Sequence, residues 1–115
     1  MAAPTLPPSE AFALDSLIAQ TPSGIASRVI ARSAGGNVTL FSFDAGQELS
    51  EHTAPFDALI IVFQGTLELT IGGQPVRASA GMVVRMPANV PHAVAAVDQA
   101  RMMLIMLRES ETSGN

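Results

Sequence analysis

The chain of 115 residues contains no cysteine, no tryptophan and no tyrosine, and it has only two histidines. Without cysteine it can form neither a disulfide nor a thiolate ligand or nucleophile. Lysine is absent as well, because all six basic residues are arginines, so no glycine pair is followed by the lysine of a phosphate-binding loop. These absences exclude disulfide scaffolds, cysteine-dependent enzymes and P-loop proteins.

Positive charge is also sparse. The formal net charge is −4, and the arginines stand singly at positions 28, 32, 77, 85, 101 and 108, so no basic stripe is available for a nucleic acid backbone. No apolar run is longer than that of residues 58–63, which is far shorter than the ~20 residues that span a bilayer. The first ten residues also lack the pattern of a secretory signal. We therefore expect a cytoplasmic protein that binds neither nucleic acid nor membrane.

What is present fits one folded unit. A length of 115 residues, of which 48% are hydrophobic, suffices for a single core. Three of the eight prolines fall within residues 2–9, and residues 109–115 are small and polar. We expect a flexible N-terminal segment at 1–11, a folded domain at 12–108 and a flexible tail at 109–115.

Turn-forming residues recur at short intervals and predict an all-β fold. Residues 66–71 alternate apolar and polar side chains, and Gly72-Gly73 turns them into residues 74–78, which predicts a hairpin. Further strands are predicted at 38–43, 59–64, 82–86, 92–97 and 101–107. Only residues 9–19 have room for a helix, and the spacing favours an antiparallel sandwich or barrel.

The two histidines stand in frames of glycine and proline. Gly46 precedes His52 by six positions, and a strand that ends at Gly65 follows. This frame resembles the first motif of the cupin superfamily, in its small, single-domain, cupin 2 conserved barrel type. Ala54 and Ala58 stand where that motif has a second histidine and a glutamate.

The second frame resembles the second cupin motif, since Gly81, Pro87 and His92 match it while Asn89 and Ala96 depart from it. The resemblance covers residues 46–96. It implies an antiparallel jelly-roll barrel, or double-stranded β-helix, that often forms a homodimer. It also implies a divalent metal such as iron, manganese, nickel or zinc, held by three histidines and a carboxylate.

Strand alternation then indicates which side chains face the inside of such a barrel. They are His52, Ala54, Ala58, Ile60 and Val62 on one side, opposite His92, Val94 and Ala96. Both alanines of the first motif enlarge this space and remove ligands. Two imidazoles alone leave a divalent metal short of protein ligands, because zinc sites use at least three.

Three carboxylates could replace the lost ligands. Glu48 shares the predicted inward direction of His52 but lies about 13 Å away along an ideal strand, and Glu51 should point outward. Asp57 could rotate inward through a bulge near Pro55. A site of His52, His92 and Asp57 would have the two-histidine, one-carboxylate form of non-haem iron oxygenases.

The sequence leaves three functions open. The favoured one is a small-molecule-binding barrel, whose pocket is lined by His52, His92, Asp57, Ile60, Val62 and Val94. A divalent-metal oxygenase or isomerase that uses the tentative metal ligands His52, His92 and Asp57 is an alternative. A non-catalytic structural or sensor module is the third. The sequence does not decide whether there is any turnover.

Two further features concern methionine and oligomerisation. The six methionines, at 1, 82, 86, 102, 103 and 106, suggest adaptable core fillers rather than a soft-metal site. For a homodimer, the best candidates are a strand at 12–17 and the strand at 101–107, which is apolar on both faces.

Overall fold

The computed structural model describes residues 5–108. In that range a 3₁₀ turn at Leu14–Ser16 precedes nine β-strands. Each strand predicted between residues 38 and 107 is present, with small differences at its ends, so the all-β prediction is confirmed, whereas the strand expected at 12–17 is not formed. The strands are β1 (Ile25–Ser33), β2 (Gly36–Phe43), β3 (Glu48–His52), β4 (Asp57–Gln64), β5 (Thr66–Ile71), β6 (Gln74–Ser79), β7 (Val83–Met86), β8 (His92–Ala96) and β9 (Ala100–Leu107).

The strands form two sheets in which neighbours are antiparallel. The larger sheet runs in the order β1-β2-β9-β4-β7, and the smaller one in the order β3-β8-β5-β6. From β2 to β9 the chain passes repeatedly from one sheet to the other. This is the jelly-roll arrangement that the motifs predicted.

The main core fills the space between the two sheets, which we call the lumen. On β4, Ala58, Ile60 and Val62 are buried, while the residues between them are more exposed. On β8, Val94 and Ala96 are buried in the same way. Burial thus follows the predicted alternation, since successive strand side chains point to opposite faces.

Gly65 fixes the tight connection between β4 and β5. Its φ is +71°, and a Cβ at this position would lie 2.1 Å from the carbonyl oxygen of Gln99. Only glycine combines this backbone conformation with so close an approach. Steric constraints therefore require glycine at the position that ends the first motif.

A second apolar cluster covers the outer face of the larger sheet. It consists of Leu17 and Ile18 from the N-terminal segment, packed on Ile30 and Leu40. Leu6 also packs on this cluster, and its N–H donates to the carbonyl oxygen of Ile30 at 2.9 Å. Part of the segment expected to be flexible thus contacts the sheet, whereas residues 1–4 and the tail at 109–115 lie outside the described residues.

Arg101 on β9 holds this segment in place. Its guanidinium donates to the carbonyl oxygens of Asp15 and Ile18, at 2.9 and 3.0 Å, and forms an ion pair with the Asp15 carboxylate. It also donates to the side-chain oxygen of Gln64 and lies over the ring of Phe63. The N-terminal segment is therefore attached by directed polar contacts as well as by apolar packing.

Neither segment expected at a dimer interface has an open strand edge. Residues 12–17 do not form a strand, because they contain only the 3₁₀ turn. Residues 101–107 lie in β9, whose backbone pairs with β2 on one side and β4 on the other. In the described part of the chain, no helix is long and apolar enough to cross a membrane.

Candidate binding site at the open end of the lumen

His52 and His92 occupy opposed positions on neighbouring strands of the smaller sheet. Leu49 of β3 pairs with Val94 of β8, so β3 takes three residue steps to His52 where β8 takes two to His92. The extra residue is a β-bulge at positions 50–51, and bulges re-aim the side chains beside them. Both Leu49 and His52 consequently line the lumen. We call the end of the lumen between the two histidines its open end.

The loop before β8 is fixed by two contacts to the first motif. The N–H of Asn89 donates to the carbonyl oxygen of Ala54 at 2.7 Å, and the N–H of Ala88 donates to the Asp57 carboxylate at 2.8 Å. Asn89 has a φ of +64°, a conformation that asparagine tolerates better than other residues with a side chain. Asparagine can therefore replace the glycine of the second motif while the loop still delivers His92.

Backbone carbonyls orient both imidazole rings. Nδ1 of His52 lies 3.2 Å from the oxygen of Ser50, and Nδ1 of His92 lies 3.2 Å from the oxygen of Val90. A carbonyl oxygen only accepts, so each Nδ1 carries a proton, and in a neutral ring Nε2 then has a lone pair. The two Nε2 atoms are 3.1 Å apart. Two lone pairs thus face each other.

The hydrogen-bond network of the two imidazoles and the two carbonyls lacks one proton. The three nitrogen contacts, two to carbonyls and one between the rings, require three N–H groups, whereas two neutral imidazoles carry two. A third proton would complete the network, and a fourth would set two N–H groups against each other. The pair therefore has room for one positive charge, or for one donated hydrogen bond, between its Nε2 atoms.

Burial keeps that third proton away from His92. Only 6% of His92 is exposed, and this burial lowers its pKa. The carbonyl of Val90 acts in the opposite direction, and a charge on His52 would lower the pKa of His92 further. His92 is therefore neutral at physiological pH, and its Nε2 can accept a hydrogen bond or bind a cation.

The histidines border a small apolar cavity of about 50 Å³. A water molecule in the liquid occupies about 30 Å³, so the cavity holds one or two waters or the head of a larger ligand. Its only polar side chains are the two imidazoles. The other lining residues are Leu49, Ala54, Phe56, Ala58, Ile60, Met86, Val94, Met102, Leu104 and Met106.

A larger groove of about 630 Å³ lies outside the cavity, and Phe56 lines both. The Arg108 guanidinium lies over the Phe56 ring, 5.4 Å from its centroid. Asp57 and Ala88 also line the groove. The half-buried ring of Phe56 is therefore the partition between the groove and the cavity.

Asp57 lies in this outer groove and not beside the histidines. Its carboxylate accepts from Arg85 at 2.6 Å and from the N–H of Ala88 at 2.8 Å. These two partners, with Ala88 the stronger, lower the pKa of Asp57. The bulge that was expected near Pro55 occurs at residues 50–51 instead, so Asp57 keeps its outward direction.

The donor set does not fit the divalent metal that the fold family implies. Within residues 5–108, no group of three or more histidine and acidic side chains is placed to hold an ion. Glu48 and Glu51 are exposed on β3, and Asp57 is bound to Arg85. The tentative ligand set of His52, His92 and Asp57 is not assembled.

Four of the six residues predicted for the pocket meet at the cavity, namely His52, His92, Ile60 and Val94. Val62 is buried deeper in the core, and Asp57 lines the groove. Sequence reasoning did not include Leu49, because the bulge was not visible in the pattern. It also left out Met86 and Met106, although their positions within strands signal an inward direction.

Comparison with known proteins agrees with the fold. Residues 39–108 match the family model described as Cupin domain. A conserved protein of unknown function from Streptococcus pyogenes is similar at 27% identity, with 96% of each chain covered and a TM-score of 0.87. A cupin superfamily protein from Desulfitobacterium hafniense is 29% identical, with 92% of this chain and 97% of that chain covered and a TM-score of 0.84.

A cupin 2 conserved barrel domain protein from Leptotrichia buccalis is 32% identical. The similarity covers 84% of this chain and 47% of that chain, with a TM-score of 0.81. Among curated proteins, no sequence matches this chain significantly.

Proposed function

The chain belongs to the cupin domain family, and from that premise we propose that it binds a small molecule that carries a hydroxyl group. The site is the open end of the lumen. The observation that supports this proposal is the pair of Nε2 atoms, 3.1 Å apart and each with a lone pair. A donated hydrogen from the ligand supplies the proton that the network lacks.

The size of the two spaces indicates how such a ligand lies. Small-molecule sites have volumes of about 300–1,000 Å³, which excludes the cavity of about 50 Å³ as the whole site. The groove of about 630 Å³ is in the right range. The ligand's polar head enters past Phe56 to the imidazoles, and its body remains in the groove against Phe56 and Leu107.

The chemistry of the walls favours a ligand that is apolar apart from this head. Apart from the two imidazoles, the cavity presents only aliphatic, aromatic and thioether groups. A second polar group on the head would be buried without a partner, which costs about 1–3 kcal/mol. We therefore expect phenols and simple alcohols to bind better than sugars or nucleotides.

Two probes, one with a hydroxyl hydrogen to donate and one without, test this proposal. Phenol has the donor and anisole carries a methyl group in its place. With only two histidines in the chain, ¹⁵N-labelled imidazoles give two resolvable sets of signals. We expect phenol to shift both Nε2 resonances in a saturable way, and anisole to leave them in place.

The variants for this test are His52→Ala and Glu51→Gln. Replacing His52 removes one half of the pair and should abolish the phenol response at His92. Glu51 is exposed on the same strand, so the Glu51→Gln control should respond as the wild type does. An equal response to anisole would show that the imidazoles are not the anchor, and would contradict the proposal.

We also propose that the chain forms a homodimer through the edge of β7. This strand ends the larger sheet, and Met82 and Val83 beside its open edge are 53% and 60% exposed. Open edges with apolar side chains are where further strands add. Light scattering should give the mass of two chains, and Val83→Lys should lower it to one. The mass of a single chain for the wild type at all concentrations would contradict this proposal.

A further inference from the structure

Two methionines face the histidines across the lumen. Ala58 of β4 pairs with Met86 of β7 on one side and with Met106 of β9 on the other. Directly opposed residues share a face, with Cβ atoms about 4.5–5.5 Å apart. Both methionines line the same cavity as His52 and His92. The short Ala58 side chain leaves space between the two thioethers.

We propose that the open end of the lumen is a binding site for one Cu(I) ion. Its ligands are the Nε2 atoms of His52 and His92 and a thioether sulfur from Met86 or Met106. Each Nδ1 is already engaged by a carbonyl, which fixes the tautomer in which Nε2 can bind a metal. The ion occupies the place of the missing proton.

The charge of the ion follows from the composition of the walls. The network accommodates one positive charge, and no carboxylate lines the cavity to neutralise a second. The cost of transferring an ion from water to an apolar medium rises with the square of its charge, and for small ions it is already large at a single charge. His52 is exposed, so the ion keeps part of its contact with water, but with no carboxylate in the wall a monovalent ion fits this site better than a divalent one.

The ligand types point to the same ion. Thioethers select soft metals, among which Cu(I) is the common monovalent one, and imidazole also binds copper. Manganese and magnesium prefer carboxylate, carbonyl and water oxygens, which this cavity does not offer. Two imidazoles and a thioether thus disfavour manganese, while the lack of a carboxylate to compensate a second charge is what separates Cu(I) from zinc, iron and nickel.

The spacing of the imidazoles is compatible with shared coordination. With metal–nitrogen bonds of about 2.0–2.1 Å, as histidine forms with zinc, nitrogens 3.1 Å apart subtend an angle of roughly 100° at an ion. This is near the angle between adjacent ligands of a tetrahedral centre. The backbone does not have to move to bring the two nitrogens onto one ion.

This inference does not depend on the small-molecule proposal, and substitutions of sulfur separate the two. Leucine has nearly the volume of methionine and no sulfur, and such swaps are well tolerated in cores. The double variant Met86→Leu, Met106→Leu should therefore keep the phenol response and lose Cu(I) affinity. The control is Met103→Leu, because Met103 is on the same strand as Met106 but packs in the second cluster on the outer face.

The experiment is an anaerobic titration of the full chain with Cu(I), in competition with the coloured chelator bicinchoninate. We expect one Cu(I) per chain, with both Nε2 resonances shifted. The double variant should bind at least about tenfold more weakly, and Zn(II) should bind to the wild type more weakly than Cu(I) does, because no carboxylate compensates its second charge. The Met103→Leu control should match the wild type.

Three results would overturn the inference. The wild type would fail to hold Cu(I) against the chelator, or the double variant would bind as tightly as the wild type, or Zn(II) would compete equally with Cu(I). Circular dichroism of the double variant checks that it is folded. If it is not, the single variants Met86→Leu and Met106→Leu take its place, and at least one of them must lower the affinity.

Discussion

The two ends of the lumen are built from the same alternating strands, yet one is filled and the other is not. At the end away from the histidines, which we call the closed end, Phe43, Val62 and Leu67 are fully buried. At the open end the corresponding wall positions are Ala54 and Ala58, and they border a cavity of about 50 Å³. The difference shows that small side chains at two positions, rather than a change of fold, separate a filled core from a cavity.

The closed end should carry most of the stability, and the largest predicted effect lies there. Leu67→Ala removes a fully buried side chain from the closed end and should lower the free energy of unfolding by about 3 kcal/mol, since such truncations cost 2–5 kcal/mol. Leu49→Ala, at the half-exposed open end, should cost about 1 kcal/mol. Urea unfolding of both variants measures the contrast, and equal losses would contradict it.

The next effect tests whether the outer face is independent of the lumen. Arg101→Leu removes the donors that hold the carbonyls of Asp15 and Ile18, of which only the bond to Ile18 is part-buried, and should cost about 2 kcal/mol because one hydrogen bond to a charged group contributes about 1.5–3 kcal/mol. The phenol response of the histidines should not change. A loss of that response in the folded variant would show that the outer cluster supports the site.

Filling the open end should remove the difference between the two ends. Ala58→Val adds two methyl groups beside the cavity, and cavity filling commonly stabilises by about 0.5–2 kcal/mol. We expect about 0.5–1 kcal/mol here, together with loss of phenol binding as the head space disappears. Thermal unfolding and the imidazole spectra report the two results, and retained binding would place the ligand elsewhere.

The smallest effect concerns pH. The lowered pKa of His92 means that the unfolded chain binds a proton more readily than the folded one. Its contribution to stability is therefore present above the ordinary histidine pKa of about 6.5 and is lost as the pH falls through and below that value. In His92→Gln this dependence should be weaker, as thermal unfolding between pH 7.5 and 5 would show. An unchanged profile would mean that other groups cause it.

Many of the residues that line the lumen were predictable, because side chains along a strand alternate between its two faces with a period of two residues. Alternation assigned Ile60, Val62 and Val94 to the inside, and the resemblance of the glycine, proline and histidine frames to the cupin motifs implied the jelly roll. These signals are local, and a sheet buried on one face has to obey them.

The remaining features depend on partners that are distant in the sequence. The bulge at 50–51 is visible only in the pairing with β8, and it exchanges Glu48 for Leu49 as the inward residue. Asp57 faces outward because Arg85 and Ala88, 28 and 31 residues further on, bind its carboxylate. Neither contact has a local signature, so the metal ligand set predicted from spacing did not assemble.

The position of β9 has a consequence for how the molecule folds. It is the last strand in residues 5–108, yet it lies at the centre of the larger sheet, between β2 and β4. Until it inserts, that sheet exists only as two separate pairs, and Arg101 cannot reach Asp15, which lies 86 positions earlier. Contacts between such distant residues slow folding. The polar contacts of Arg101 with the N-terminal segment can therefore form only after β9 has paired with β2 and β4.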